Sequence, residues 1–254
     1  MKKPRLGIFK LTSCDGCQLT VLNLEDDLVR LVDLFEMAYF PEAMDKPLRG
    51  TLDLALVEGS VSVPRQRNTI VEIRERSRHL IAMGSCATSG GLQALRNWAN
   101  LASYKASTYP SPQAVQALST STPISEHVHV DYELYGCPIT TQALSETLVA
   151  FLLGRRPMLR GYSVCMECKR HGIPCLLVSQ GQPCLGPVTR AGCEALCPSL
   201  ERPCYGCFGP KEDANVDGLL AWFEKMGLNA RECQALLDKM NTYTFRKARL
   251  ESRS

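Results

Sequence analysis

Short apolar runs alternate with amphipathic stretches along the first 150 residues of the chain. The runs of strand length are residues 5–10, 52–57, 79–83 and 128–135. The stretches with apolar residues at helical spacing are residues 20–40, 64–77 and 140–153. Strands that alternate with helices predict an α/β fold in which a parallel sheet carries helices on both faces.

The pattern changes abruptly beyond this region. Residues 162–210 hold eight cysteines, six prolines and six glycines, with few apolar residues to build a core. We therefore expect two domains: a flavodoxin-like domain over residues 1–158, and a small, irregular, cysteine-rich domain over residues 159–254 with a helical C-terminal tail. Burial alone would not fold such a segment, so bound metal must supply part of its stability.

Composition excludes several classes of protein. The formal net charge of +3 over 254 residues gives no electrostatic footprint of a nucleic-acid-binding protein. No apolar run approaches the roughly 20 residues of a membrane-spanning helix, and the opening residues carry no export signal. We expect a cytoplasmic protein without a membrane or nucleic-acid partner. Cysteines in that compartment bind metal more often than they form disulfides.

Four of the thirteen cysteines are scattered over the first domain. Cys14 and Cys17 follow the first predicted strand, Cys86 the third and Cys137 the fourth. Loops at the carboxyl ends of parallel strands converge on one edge of the sheet, which is where ligands bind in such folds. The topology therefore predicts that these four thiols meet. The alternative is that they are separate buried thiols that pack as small hydrophobic side chains.

The other eight grouped cysteines are Cys165, Cys168, Cys175, Cys184, Cys193, Cys197, Cys204 and Cys207. Twelve thiolates in three sets of four match the ligand count of three iron–sulfur clusters. Zinc is the competing interpretation, because Cys-x2-Cys pairs also build structural zinc sites. The four inner cysteines are single or loosely spaced, which favours a cluster over a tetrahedral ion.

Five segments of the chain resemble the small, electron-transferring subunit of nickel–iron hydrogenases, in the order of that family. They are CDGC (14–17), GSCATSGG (84–91), GCP (136–138), CLGPVT (184–189) and PCYGC (203–207). The cysteine at position 165, where exported members often have histidine, and the additional Cys197 are similar to the cytoplasmic members, including the delta subunits of sulfhydrogenases.

This resemblance implies a ligand assignment for three 4Fe-4S clusters. The proximal set is Cys14, Cys17, Cys86 and Cys137; the medial set is Cys193, Cys197, Cys204 and Cys207; the distal set is Cys165, Cys168, Cys175 and Cys184. It also implies a non-catalytic subunit of an oxidoreductase that acts on hydrogen. The implied partners are a nickel–iron large subunit and flavin- and iron–sulfur-containing diaphorase subunits, with NAD(P) as acceptor.

Two other functions remain open at this point. The N-terminal motifs also resemble the cluster-bearing small subunit of respiratory complex I, although that relative lacks the cysteine-dense segment. A metal-stabilised scaffold that transfers no electrons is the second alternative.

Three further features of the sequence each lead to an expectation. His171 lies among the ligands, and we expect an ordinary structural or exposed histidine rather than a ligand or a hydrogen-bond donor to a cluster. Cys233 is expected to be a free buried thiol in a helix. Residues 98–125 show no period, and we expect either a partner-binding loop or a surface insertion with one short helix.

Overall fold

The computed structural model describes residues 3–251, apart from the side chains of Asp26 and Glu251. It divides the chain into two compact units, Met1–Leu134 and Tyr135–Ser254. No helix in the part described is long and apolar enough to cross a membrane. The two units meet between residues 134 and 135, before the helix over residues 140–153 that the sequence analysis places in the first domain. The predicted domain boundary between residues 158 and 159 stays a prediction.

The first unit contains a five-stranded parallel sheet with helices around it, which confirms the predicted α/β class. The strands are β1 (Arg5–Lys10), β2 (Glu36–Tyr39), β3 (Leu52–Glu58), β4 (Ser77–Met83) and β5 (Tyr132–Leu134), in the spatial order β2-β1-β3-β4-β5. This is the order of flavodoxin-like folds. Ile8, Leu56 and Ile81 lie opposite one another across the three central strands.

Near-continuous apolar runs explain the central strands. Every residue of β3 except Asp53 is buried, and four of the six residues of β1 are buried. Strands of this kind pack on both faces, as parallel sheets require. Their side chains form a core with the helix that follows β3, where Ile70 and Ile73 are buried.

The helices of the first unit are α1 (Gly16–Leu22), α2 (Asp26–Leu34), α3 (Pro64–Arg76), α4 (Gly84–Ser89) and α5 (Leu101–Thr108). Short 3₁₀ turns occupy Leu92–Trp98, Pro112–Ala114 and Ile124–Glu126. Pro64 opens α3 at a position where its missing N–H costs no hydrogen bond. Helix α5 buries none of its residues, so the 98–125 segment does contain one short surface helix. Its role in binding a partner stays a prediction.

Two elements predicted from the pattern have the wrong bounds. The continuous helix expected over residues 20–40 is broken where Glu25 adopts a positive φ of 53°, and its end is the edge strand β2. The strand expected over residues 128–135 is paired only at Tyr132–Leu134. Hydrogen bonding to the neighbouring strand, rather than local hydrophobic spacing, determines where β2 and β5 begin and end.

The second unit is built from helices and loops. Its helices are α6 (Thr141–Leu152), α7 (Val164–Arg170), α8 (Leu176–Ser179), α9 (Leu196–Ser199), α10 (Val216–Lys225), α11 (Ala230–Leu237) and α12 (Thr242–Glu251). The Thr140 hydroxyl caps α6 by accepting the Ala143 N–H. The last three helices surround Phe223 and Phe245. They confirm a helical tail up to residue 251, while residues 252–254 lie outside the described part.

Candidate metal centres

Three cysteines of the proximal set lie in loops and helices that leave the carboxyl ends of strands. Cys14 precedes α1 and Cys17 lies within it, directly after β1, whereas Cys86 lies in α4, directly after β4. Asp15, between the first two, takes a left-handed conformation with φ 67°. Both elements therefore deliver their thiols to the edge of the sheet that the topology predicts.

A glutamine joins the two loops of this edge. Gln93 donates an amide N–H to the Thr12 carbonyl over 2.8 Å and lies 3.7 Å from the Cys86 sulfur, measured from Nε2 to Sγ. Gly91 is required beside it, because a Cβ there would lie 2.7 Å from the Cys86 Sγ. The loop after β1 and the loop after β4 are thus held together by a contact that includes one predicted ligand.

Glu58 supports the same edge from the end of β3. Its side chain is 1% exposed, and it accepts the backbone N–H groups of Cys17 (3.3 Å) and Gln18 (3.1 Å). Burial raises the pKa of the Glu58 carboxyl, and the two donated N–H groups oppose that shift. A buried acid thereby fixes the helix turn that carries Cys17.

Cys137 belongs to the second unit, three residues after the end of β5. Its backbone N–H is a hydrogen-bond donor to the sulfur of Cys207. Gly136, the preceding residue, faces the ring of Phe208, which lies 3.0 Å from where a Cβ would stand. A ligand predicted for the proximal set and one predicted for the medial set are therefore neighbours. That Cys137 meets the other three proximal cysteines stays a prediction.

The four cysteines of the distal set line one cavity of about 240 Å³. Helix α7 presents two of them at i and i+3, the third directly precedes α8, and the fourth lies in the loop after α8; they are Cys165, Cys168, Cys175 and Cys184. The remaining lining is mostly apolar, from Val164, Ile173, Pro174, Leu176 and Pro187 among others. The structure therefore brings together four thiols that are up to nineteen positions apart in sequence.

The distal thiols affect one another's ionisation. Burial raises the pKa of Cys165 and of Cys168 to about 11, and the neighbouring thiols Cys184 and Cys175 add to the shift in both. A bound iron–sulfur cluster would instead lower these pKa values, because its iron ions stabilise the thiolates that ligate them. Gly186 keeps room beside the cavity, since a Cβ there would lie 3.4 Å from the sulfurs of both Cys165 and Cys184.

The medial set is assembled around helix α9 and the loop that precedes α10. Burial raises the pKa of Cys207 to about 12, and its next largest contributions come from Cys193 and Cys197. Burial also raises the pKa of Cys204, where Cys207 contributes. The four predicted medial ligands are therefore electrostatic neighbours.

The two later sets are in direct contact. The backbone N–H of Cys204 donates to the sulfur of Cys184 over 3.2 Å. Cys204 is buried, and it packs with Val164 and Ala195 in a small core whose other members include Cys168, Cys184 and Cys193. The core of this segment consists largely of the thiols themselves.

The donor set fits a cluster better than a single zinc ion. Zinc–thiolate bonds of about 2.3 Å draw four sulfurs tightly around one ion. Among the side chains that the structure describes, no group of three or more Cys, His, Asp or Glu is arranged to hold one metal ion. The thiols of the distal set instead surround a cavity far larger than an ion, and a cuboidal cluster would fill such a space.

Three polar residues of these sites escape prediction from the sequence. Glu58 and Gln93 contact the segments of Cys17 and Cys86, and Glu167 lies within the Cys-x2-Cys pair of α7, with its carboxylate against the Cys193 loop. Only the two glutamates have a sequence feature that could have pointed to them. Glu58 ends an otherwise apolar strand, and Glu167 is an acid between two ligands.

The remaining candidates take the ordinary roles expected of them. His171 is half-exposed and its Nε2 lies 2.8 Å from the Glu194 carboxylate, so it is engaged with an acid on the surface. Cys233 is 2% exposed in α11 and forms no disulfide, which confirms the buried thiol.

Comparison with known proteins gives consistent results. The family described as NADH ubiquinone oxidoreductase, 20 kDa subunit, matches residues 14–151. The delta subunit of sulfhydrogenase 2 from Pyrococcus furiosus is 39% identical over 85% of this chain and 90% of its own. A vhu subunit of the F420-non-reducing hydrogenase from Methanocaldococcus jannaschii is 35% identical over 84% of each chain.

A solved structure agrees with these relatives. A chain in the crystal structure of an NAD⁺-reducing [NiFe]-hydrogenase in the H2-reduced state superposes with a TM-score of 0.58 at 28% identity. The match covers 62% of this chain and 95% of that chain. More than a third of the present chain therefore has no counterpart in it.

Proposed function

Because the chain belongs to the NADH ubiquinone oxidoreductase 20 kDa subunit family, and within it to the hydrogenase small subunits, we propose that it conducts electrons through three 4Fe-4S clusters. It is a subunit of an oxidoreductase complex that acts on hydrogen. The proposed partners are a large subunit with a nickel–iron centre and an NAD(P)-linked diaphorase.

The observation that carries the proposal is the cavity shared by Cys165, Cys168, Cys175 and Cys184. When bound, clusters at the three sets would supply one-electron carriers between the partner's metal centre and the acceptor. The chain's own residues would hold the clusters through their thiolates and direct N–H groups at their sulfurs, and Cys17 and Cys204 are the ligands that burial shields most. None of these residues needs to act as an acid, a base or a nucleophile.

Contacts between successive sets support a fixed order of the clusters. The Cys137 N–H donates to Cys207, which joins the proximal set to the medial set. The Cys204 N–H donates to the Cys184 sulfur, which joins the medial set to the distal set. Direct contacts of this kind shorten the path between carriers, so the proximal, medial and distal sequence is the one we propose.

The electron acceptor has two candidates, a nicotinamide and a protein. The NAD⁺-reducing hydrogenase supports a nicotinamide, but its matching chain has no counterpart for more than a third of this one. The relatives that cover 84–85% of the chain are named as a sulfhydrogenase subunit and as a subunit of a hydrogenase that does not reduce F420. A protein acceptor without a nicotinamide is therefore the second candidate.

We propose the cytoplasm as the compartment. Twelve thiolates must remain reduced to hold three clusters, and reducing compartments maintain that state.

Anaerobic purification of the complete complex, followed by metal analysis and an activity assay, tests the proposal. We expect about twelve irons per copy of this chain, on four irons for each set of four thiolates, together with hydrogen-dependent reduction of NAD, NADP or a ferredoxin-type protein. Stoichiometric zinc with negligible iron would refute the clusters. Iron without hydrogen-dependent reduction of any acceptor would favour the scaffold or complex I-like function.

The ligand assignment is tested by Cys197→Pro. Proline is tolerated at the second residue of α9, because the first-turn N–H groups of a helix have no acceptor within it. We expect the medial cluster to convert towards a three-iron form with a higher reduction potential, detected by electron paramagnetic resonance. Loss of a four-iron signal from the distal cavity instead would show that the eight cysteines are paired differently.

A further inference from the structure

Glu167 is a fully buried carboxylate between two predicted distal ligands. It lies on α7 between Cys165 and Cys168, and its side chain is 0% exposed. A buried carboxylate is costly unless hydrogen bonds and a cation compensate it. The hydrogen bonds come from the loop of the predicted medial set and the cation is Arg160, so the compensation lies outside the helix that carries the residue.

The carboxylate binds both ends of the turn around Cys193. Its Oε1 accepts the Gly192 N–H over 2.8 Å, and its Oε2 accepts the Ala195 N–H over 3.1 Å. Glu194 and Ala195 have positive φ values of 53° and 54°, a conformation that costs energy in residues with a Cβ. Such a turn persists only where the surroundings hold it, and Glu167 supplies that hold.

The same carboxylate lies next to the thiol of that turn. Glu167 Oε2 is 3.8 Å from the Cys193 Sγ. The Arg160 guanidinium, 3.0 Å from Oε1, is the ion-pair partner, but it also binds the Glu194 carboxylate. That guanidinium is shared between the two acids, and His171 Nε2 lies 2.8 Å from Glu194 alone, so Glu167 has no cation of its own. A group bound by Cys193 therefore has a carboxylate 3.8 Å from its ligand sulfur.

We propose that Glu167 is a positioning residue that fixes the Cys193 turn and whose charge lowers the reduction potential of the cluster held by the medial set. The inference rests on the proposed function. A fixed negative charge next to a ligand disfavours the addition of an electron, because the reduced cluster is the more negative state. Since α7 also carries Cys165 and Cys168, the residue couples the placement of the two later sets.

Glu167→Gln separates charge from shape. The amide retains one oxygen for a backbone N–H and removes the negative charge. In redox titrations of the complete complex, followed by electron paramagnetic resonance, we expect the midpoint potential of one cluster to rise. Glu201→Gln is the matched control: Glu201 lies in the same cysteine-dense segment, between Cys197 and Cys204, but is exposed, and solvent screens its charge. Its shift must be the smaller one.

Glu167→Ala tests the positioning role. Without the carboxylate, the Gly192 and Ala195 N–H groups lose their acceptor, and we expect a loss of about four of the twelve irons, the content of one cluster. Wild-type potentials in Glu167→Gln together with full iron in Glu167→Ala would overturn the proposal. An equal shift in Glu201→Gln would likewise overturn the charge effect.

Glu167→Asp decides the case in which the Gln variant fails to assemble. Aspartate keeps the charge but is one methylene too short to bind both N–H groups. Loss of one cluster's iron supports positioning, while full iron and unchanged potentials refute it. A wild-type complex without iron–sulfur signals would refute the proposed function itself, so that failure is identified before any variant is compared.

Discussion

At the residue scale, Gln93 places an amide next to the sulfur of a predicted cluster ligand, Cys86. Its Nε2 lies 3.7 Å from the Cys86 sulfur and 2.8 Å from the Thr12 carbonyl oxygen. A ligated cysteine has lost its thiol proton, so only the amide can donate in this contact. N–H donors to cluster sulfurs stabilise the reduced, more negative state.

Gln93→Leu should therefore lower the midpoint potential of one cluster while the iron content stays at about twelve per chain. The Thr12 carbonyl still accepts the Ser60 N–H over 2.9 Å, so the substitution does not leave it without a donor. Redox titration of the complex measures the shift. Gln142→Leu, at an exposed position of α6, is the control and should leave all potentials unchanged. An unchanged potential in Gln93→Leu would show that the amide does not act on the bound cluster.

Residue type and spacing made the cysteines predictable, but not their polar neighbours. Thiolates are rare and chemically distinctive, so Cys165 and Cys168 stand out in any sequence. Gln93, Glu58 and Glu167 use common side chains, and their partners lie 7 to 81 positions away. Only the fold creates those contacts. A sequence pattern therefore finds the candidate ligands and misses the polar residues that contact their segments.

At the scale of elements, the C-terminal helices support a ligand loop. Asn241, which is 2% exposed, donates from Nδ2 to the carbonyls of Gly206 and Cys207, both over 2.9 Å. The ring of Phe245, on α12, packs against Gly206, where a Cβ would lie 2.9 Å from it. The helical tail thus holds the backbone of the Cys204–Cys207 segment.

Asn241→Ala should loosen that segment. The Cys207 carbonyl loses this donor, while the Gly206 carbonyl keeps the Gly209 N–H (3.0 Å). A buried polar group left unsatisfied costs about 1–3 kcal/mol. We expect faster loss of iron to a chelator and a lower thermal midpoint than in the wild-type complex. Thr244→Val is the matched control, because it removes one hydrogen bond to the Asn241 carbonyl (3.2 Å) and leaves the ligand loop alone. Equal iron loss in the two variants would contradict the support role.

Elements with a strong periodic pattern are predictable, and elements made by pairing are not. The helix predicted over residues 64–77 is found at Pro64–Arg76, since its apolar spacing and opening proline agree. Strand β2 has no residue that is fully buried and lies at the sheet edge, so its sequence carries little strand signal. Its hydrogen bonds to β1 define it instead.

At the scale of the whole molecule, the two units derive their stability from different sources. The first unit packs apolar strands and helices around residues such as Val57, Ile70 and Leu80, all 0% exposed. The ligand segment of the second unit has a small core in which cysteines are major members. Its helical tail has an apolar core of its own around Phe223 and Phe245.

This difference predicts an unequal response to cluster removal. Oxidation followed by chelation should abolish the hydrogen-exchange protection of residues 162–210, because the thiols that form their core lose the group they surround. The strands β1, β3 and β4 should keep theirs, since their apolar burial does not depend on a metal. Mass spectrometry of exchanged peptides resolves the two regions in the same sample.

Chelator without oxidant is the control for this experiment, and it should change neither region. The helices α10 and α11 provide an internal comparison, because they lie in the second unit but share an apolar core that includes Phe223 of α10 and Leu237 of α11. If the clusters only occupied preformed pockets, residues 162–210 would stay protected after their removal. If protection of the sheet fell together with that segment, the clusters would stabilise both units, and the separation of their sources of stability would be wrong.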